Sequence, residues 1–243
     1  MKVVNNPINS QTQIKHELEA LEIFNLKEIK EHKEQVRSFW LDLVKPSEVM
    51  LSCFENAFEE VMFGATIWAL NQDPNYPKVI TISRVSHEIN NQKIPGSRWG
   101  IDNPDSVYRV IPIGDSQSYV IRGKLGKQLF NENHFTLWDE NMKTIGLLSG
   151  NNIAVDNDGN FEIFVDPNSS KDKKNHIQTS AGAKEFYIRD TMIDWLNDRP
   201  NLLDIEIIPS SRADKKQDTK MRLEIVKNYM HKWAANTTRW NQH

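Results

Sequence analysis

The sequence predicts an α+β protein: an antiparallel β-sandwich of jelly-roll character with a helical N-terminal segment and a C-terminal helix. Three observations predict it. Apolar residues recur every three or four positions from Ser10 to about residue 72. After Pro77 the period shortens to two, in short runs broken by turn residues. Helical spacing then returns beyond Ser210. The expected organisation is a helical segment over 1–76, a β-sandwich domain over 77–209, and a helix over 210–243 that packs on the rest.

Each element follows from a local signal. Ile14, Leu18, Leu21 and Phe24 mark a first helix, and Leu26 to Val44 a second that stops before Pro46. Ser47 is a suitable N-cap for a third, whose Met50, Phe54, Ala57, Phe58, Val61, Ala65 and Trp68 share one face. Cys53 lies beside Phe54 and reads as a buried structural thiol. Strands are expected at Val79–Ser83, Val107–Ile113, Ser118–Arg122, Asn133–Trp138, Thr144–Leu148, Phe161–Val165, Glu185–Arg189 and Leu203–Ile208. Asn90 to Pro104 is a Gly/Pro/Asn-bearing stretch. Gly114-Asp115 and Asp158-Gly159 are turn signals, because such pairs tolerate the positive φ of a tight hairpin. Few helix-length segments separate the strands, which argues against parallel βαβ units. Met221, Ile225, Tyr229 and Trp233, spaced by four, outline the last helix.

Composition bounds the function. The chain has 243 residues, 30 Lys+Arg against 33 Asp+Glu, and a formal charge of −3. That balance gives no cationic excess for a nucleic-acid partner. Seven Trp and ten Phe point to packed cores. One cysteine excludes an intramolecular disulfide framework and a thiolate metal cluster. No apolar run approaches the ~20 residues of a membrane helix, and Met1 to Gln13 lacks the apolar core of a signal peptide. The expectation is a cytoplasmic protein with a small-molecule ligand, no nucleic-acid or membrane partner, and a possible homo-oligomeric state. Phosphate loops, the G-x-S-x-G elbow and H-E-x-x-H are absent, so no cofactor and no metal is expected. Asp156-Asn157-Asp158-Gly159 only superficially resembles a calcium loop. Its Gly comes too early and the twelfth-position Glu is missing. His87-Glu88 has no partner at ligand spacing.

The most distinctive segment is Arg98-Trp99-Gly100-Ile101-Asp102-Asn103-Pro104-Asp105-Ser106-Val107-Tyr108-Arg109. It resembles the W-G-x-D-N-P-D-x-x-Y signature of a bacterial family, the domain of unknown function numbered twelve-fourteen. Ser118 to Gly126 is similar to that family's Y-x-I-x-G-x-x-G hairpin, and Asp158 to Ile163 to its D-G-x-F-E-I turn. Phe186 to Asp190 with Asp194-Trp195 is like its L-x-V-R-Q…D-W segment. The resemblance runs from Arg98 to Ile208. It implies a jelly-roll β-sandwich and carries no assigned activity. Asp190 departs from it, standing where Gln or another polar residue is common, and His134 lies in a strand often rich in Ser and Thr.

Candidate site residues follow from their chemistry. Asp105, Tyr108 and His134 are the candidate catalytic groups: Asp105 or His134 as acid or base, Tyr108 as a hydroxyl donor. Arg98, Trp99, Asn103, Arg109, Trp138 and Arg189 are candidate substrate-binding groups, the arginines as anion clamps and the indoles as stacking walls. Alternation puts His134, Thr136 and Trp138 on one face of a strand. It puts Tyr108 and Arg109 on opposite faces, and likewise Arg189 and Asp190. A structural account covers the same residues. Asn-Pro-Asp is a good turn, Trp99 could plug the end of a sheet, and Arg189 could pair with a buried carboxylate such as Asp105. The function expected is an enzyme acting on a small polar or carboxylated molecule by hydrolase, lyase or isomerase chemistry. The alternative is a non-catalytic carbohydrate- or protein-binding module.

Overall fold

The structure, a computed structural model, describes residues 7–99, 102–126, 133–169, 173–208 and 218–240. These form a mixed α+β chain with four helices and open, mainly antiparallel sheets. No helix among the described residues is long and apolar enough to cross a membrane. Two compact units emerge, each assembled from separate stretches of sequence. One comprises residues 1–13, 71–81 and 103–215; the other comprises 14–70, 82–102 and 216–243.

The helical unit holds most of α1 (Gln11–Phe24), then α2 (Lys27–Val44), α3 (Glu48–Ala69) and α4 (Thr219–Trp240). Ser47 caps α3 by accepting from the Met50 amide, as its sequence suggests. α2 stops at Lys45, which adopts a left-handed conformation before Pro46. The buried faces differ from the expected stripes. In α1 the buried residues are Gln13, His16, Glu17, Ala20 and Phe24, while Ile14, Leu18 and Leu21 are only half-buried. The polar ones are buried because they have partners. His16 Nε2 meets the Ile67 carbonyl at 2.8 Å. Glu17 accepts from Ser83 Oγ at 3.0 Å and faces His87 Nε2 at 3.1 Å. In α4 the buried stripe is Val226, Met230, Trp233 and Ala234, and Met221 is exposed. In α3 burial begins only at Phe58, so Met50 and Cys53 lie exposed, which corrects the expectation of a buried thiol. The centre of this unit is a cluster of three indoles: Trp68 and Trp233 at 4.7 Å, Trp99 and Trp233 at 4.4 Å. Within it a hairpin over residues 87–94 leads into the Gly/Pro/Asn-bearing stretch of residues 90–104. Strands β2 (His87–Ile89) and β3 (Gln92–Ile94) are joined by Asn90-Asn91, both at positive φ as a tight primed turn requires.

The β unit holds two sheets. The five-stranded sheet has the order β1 (Ile80–Thr81), β4 (Ser106–Pro112), β10 (Ala183–Thr191), β6 (His134–Asp139), β7 (Thr144–Ser149). The four-stranded sheet has the order β11 (Leu202–Ile208), β5 (Ser118–Lys124), β8 (Asn160–Asp166), β9 (His176–Gln178). All pairings are antiparallel except β8–β9. Alternate residues of both sheets enter one core: Ile111, Phe135, Leu137, Phe186 and Ile188 from the first, Tyr119, Ile121, Phe161, Ile163 and Val165 from the second. Gly123 is required opposite Phe161, because a Cβ there would sit 2.0 Å from the ring.

Two measurements test this account. Ile163 is fully buried in the shared core. Ile163→Ala should cost about 2–5 kcal/mol in urea unfolding, the range for truncating a core aliphatic. The second concerns Asp166. Burial pushes its carboxyl up, but Lys173, the Asn168 amide and His176 outweigh that and hold it below the usual carboxylate value. A depressed folded value means stability present above the unfolded value, near 3.9, and lost as pH falls through the folded one. Asp166→Asn should flatten that acid limb in a melting-temperature profile and leave its shape near neutral pH unchanged.

Candidate functional site

The site begins with what lies beneath it. Arg109 of β4 points into the core side and is 0 % exposed. It forms an ion pair with Asp190 of β10 and donates to the Asn201 carbonyl. Asp190 also accepts from Asn133 Nδ2, from the Asn201 amide at 3.1 Å and from Asn201 Nδ2 at 3.3 Å. Burial pulls the Arg109 guanidinium down to about 9. It therefore remains a cation at neutral pH, held against its carboxylate. Arg109 is thus sealed from any soluble anion, unlike the clamp its chemistry suggested.

The opposite face of the same strands carries a different set. Cross-strand register places Ser149, His134, Arg189 and Tyr108 in one row across β7, β6, β10 and β4. Directly opposed Cβ atoms in such pairs lie about 4.5–5.5 Å apart. The next row contains Leu147, Thr136, Tyr187 and Val110. Trp138 and Glu185 oppose each other in the row after that. Three rings form a ladder on this face: Trp138 stacks on Tyr187 at 4.4 Å, and Tyr187 on Tyr108 at 5.2 Å. Both neighbours of β6 shift register near Trp138, but β6 itself runs without an extra residue. His134, Thr136 and Trp138 therefore keep a common face. His134 Nδ1 and Thr136 Oγ1 are buried and make no hydrogen bond. Arg189 is exposed.

The Asn-Pro-Asp turn lies at the start of β4. Asn103 Oδ1 accepts from the Asp105 amide at 2.9 Å, and the Asn103 amide donates to the Tyr108 hydroxyl at 2.7 Å. These bonds fix the turn and the phenol together. Asp105 is engaged elsewhere, its Oδ1 accepting from Trp195 Nε1 at 3.1 Å. The carboxylate considered as a partner for Arg189 is thus bonded to an indole.

Of the nine residues singled out in the sequence, the sheet brings Tyr108, His134, Trp138 and Arg189 to one face. Asn103 and Asp105 stand in the adjoining turn. Arg109 is on the reverse face. Arg98 and Trp99 belong to the helical unit, where Arg98 pairs with Glu60 at 3.2 Å and Trp99 is packed to 6 % exposure. Sequence reasoning missed Ser149 and Tyr187, since only strand pairing reveals them. Among the described residues no three ligating side chains are grouped to hold a metal ion. A separate apolar cavity of about 390 Å³ in the helical unit, lined by Trp40, Met50, Cys53 and Phe54 among others, contains none of the nine.

No family model and no curated protein matches the chain. Among solved structures it is similar to an uncharacterised protein from Burkholderia cenocepacia, with TM-score 0.67 and 17% identity over 93% of this chain. The aligned region spans 59% of that protein's length, so the likeness concerns the fold of a part of it. The VPA0106 protein from Vibrio parahaemolyticus aligns over 45% of this chain and 32% of its own, with 15% identity and TM-score 0.34.

The buried pair makes a direct prediction. Asp190→Ala or Arg109→Met alone leaves an uncompensated charge and should cost about 3–5 kcal/mol. Combining Arg109→Met with Asp190→Leu should recover a large part of that loss in the same urea titration. Additive losses would show that the two side chains act independently.

Proposed function

We propose that the face bearing His134, Arg189 and Tyr108 binds a small carboxylated organic molecule, and that the protein is an enzyme acting on it. The observation that carries this reading is the half-buried His134, its Nδ1 without a hydrogen bond, directly opposite the exposed Arg189 in one cross-strand row. Buried polar groups almost always have partners, and the half-buried His134 ring stands where a polar ligand held by Arg189 would meet it. Arg189 would take the carboxylate in a forked hydrogen bond. His134 would move a proton as the general acid or base beside the bound carboxylate. The Trp138–Tyr187–Tyr108 ladder would wall the apolar part of the ligand.

The second reading is a non-catalytic carbohydrate-binding module, favoured by the half-buried Trp138 at the end of that ladder, a platform on which a sugar could stack. We also read the two sheets as a sandwich of jelly-roll character, supported by the single core they share. The exposed lone thiol of Cys53 agrees with a reducing cytoplasm.

A thermal-shift series tests the function. Succinate, benzoate and neutral sugars are added to the full chain. A ligand at about 100 times its Kd stabilises by about 2.7 kcal/mol, or roughly 5–10 °C for a chain of this size. The shift should appear with a carboxylate and vanish in Arg189→Ala. A shift with sugars only, lost in Trp138→Ala, would favour the binding module. A carboxylate shift unchanged in Arg189→Ala would place the site elsewhere.

A further inference from the structure

Resting on that reading, we propose that Ser149 is the nucleophile of the site and His134 its base. The reaction is hydrolysis of a short ester that carries a free carboxylate. Ser149 ends β7 directly opposite His134, and the two share a face. Among the described residues neither Ser149 Oγ nor His134 Nδ1 has a hydrogen-bond partner. A hydroxyl opposite an imidazole nitrogen, both uncommitted, is the minimal arrangement for activating a serine. In unliganded sites such contacts are often long and tighten with substrate. The strand ends are held in place, because the Gly150 amide donates to the Asn133 carbonyl at 2.7 Å, just beyond the pair.

The row also sets the substrate's length. Ser149 and Arg189 lie on either side of His134, two strands apart, about 9–10 Å between backbones. The arginine and serine side chains cover much of that span. A short dicarboxylic half-ester fills the remainder, its carboxylate on Arg189 and its ester carbon at Ser149.

The steps balance without a further reactant except water. Ser149 Oγ bonds to the acyl carbon while its proton passes to His134. The bond to the leaving oxygen breaks as His134 returns that proton to it, releasing the alcohol. Water then attacks the acyl-serine, giving a proton to His134, which restores it to Ser149 Oγ as the acid leaves.

The test uses mono(4-nitrophenyl) succinate on the full chain in a Cys53→Ser background, because the exposed thiol would itself attack an activated ester. The expected result is a burst of 4-nitrophenolate stoichiometric with protein and a succinyl adduct on the peptide containing Ser149. Ser149→Ala should abolish both yet retain the melting shift with succinate. His134→Ala should slow the burst by about 100-fold or more. Arg189→Ala should erase the preference over neutral 4-nitrophenyl butyrate. Should Ser149→Ala not fold, Ser149→Val, a strand former without a hydroxyl, takes its place, with both the burst and the adduct expected to be lost. No burst in the parent, a burst unchanged in Ser149→Ala, or an adduct on another residue overturns the proposal. If succinate still shifts the melting temperature through Arg189, the binding reading survives that failure; if it does not, both fall.

Discussion

The buried ion pair between Arg109 and Asp190 is the constraint from which the site's geometry follows. Three of the four residues in its network are sequence neighbours of residues in the functional row, Asn201 being the exception. Arg109 follows Tyr108, Asp190 follows Arg189, and Asn133 precedes His134. Side chains alternate between faces along a strand. Fixing one set in the core between the sheets therefore fixes the other set on the opposite face of the five-stranded sheet. A slip of one residue in any of the three strands would drive a row residue into the core and turn a network residue away from its partners onto the opposite face. Such pairs contribute little net stability against an apolar replacement, but strongly penalise any arrangement that separates them. The network thus acts as a register lock for β4, β6 and β10.

This lock explains what was legible in the sequence. Alternation is local, so the faces of His134 and Trp138, of Tyr108 against Arg109, and of Arg189 against Asp190 follow from a single strand read alone. Strand positions follow from the same signal, within a residue or two at each end. Pairing partners are non-local. Nothing near Arg109 announces Asp190, 81 positions on by number, and nothing near His134 announces Ser149. The turn at Asn90-Asn91 lacks the usual glycine, so its hairpin was hidden inside a polar stretch. β9 is three residues long and pairs in parallel, too short for a periodic signal.

The helical unit shows the opposite failure. Its helices were visible from periodicity, but their buried faces were rotated from the apolar stripe. Polar residues can occupy a core face when their partners are supplied by other segments. His16 and Glu17 do so through Ile67, Ser83 and His87, all distant in sequence. A pattern argument scores these positions as solvent-facing and turns the helix accordingly. Trp99 is misjudged for a related reason. An indole beside an arginine resembles a recognition pair, yet Trp68 and Trp233 enclose its ring.

The charges around the row bear on the sign of its ligand. Three of the carboxylates near β10 are already engaged. Asp190 is locked to Arg109 and the two asparagines in the core. Glu185 is buried and accepts from Gln72 Nε2 at 2.9 Å. Asp105 accepts from Trp195. Arg189 remains exposed on the functional face, and among the described residues it has no ion-pair partner. An uncompensated guanidinium beside buried, hydrogen-bond-poor groups creates a local positive potential with low-dielectric walls. Such a surface repels cations and weakly selects neutral sugars, whereas a carboxylate gains both a forked hydrogen bond and the local field. Asp105→Asn keeps an acceptor for Trp195 Nε1 and removes only a negative charge, so the preference for a carboxylate should persist and not weaken if it depends on Arg189 rather than on the conspicuous acidic turn.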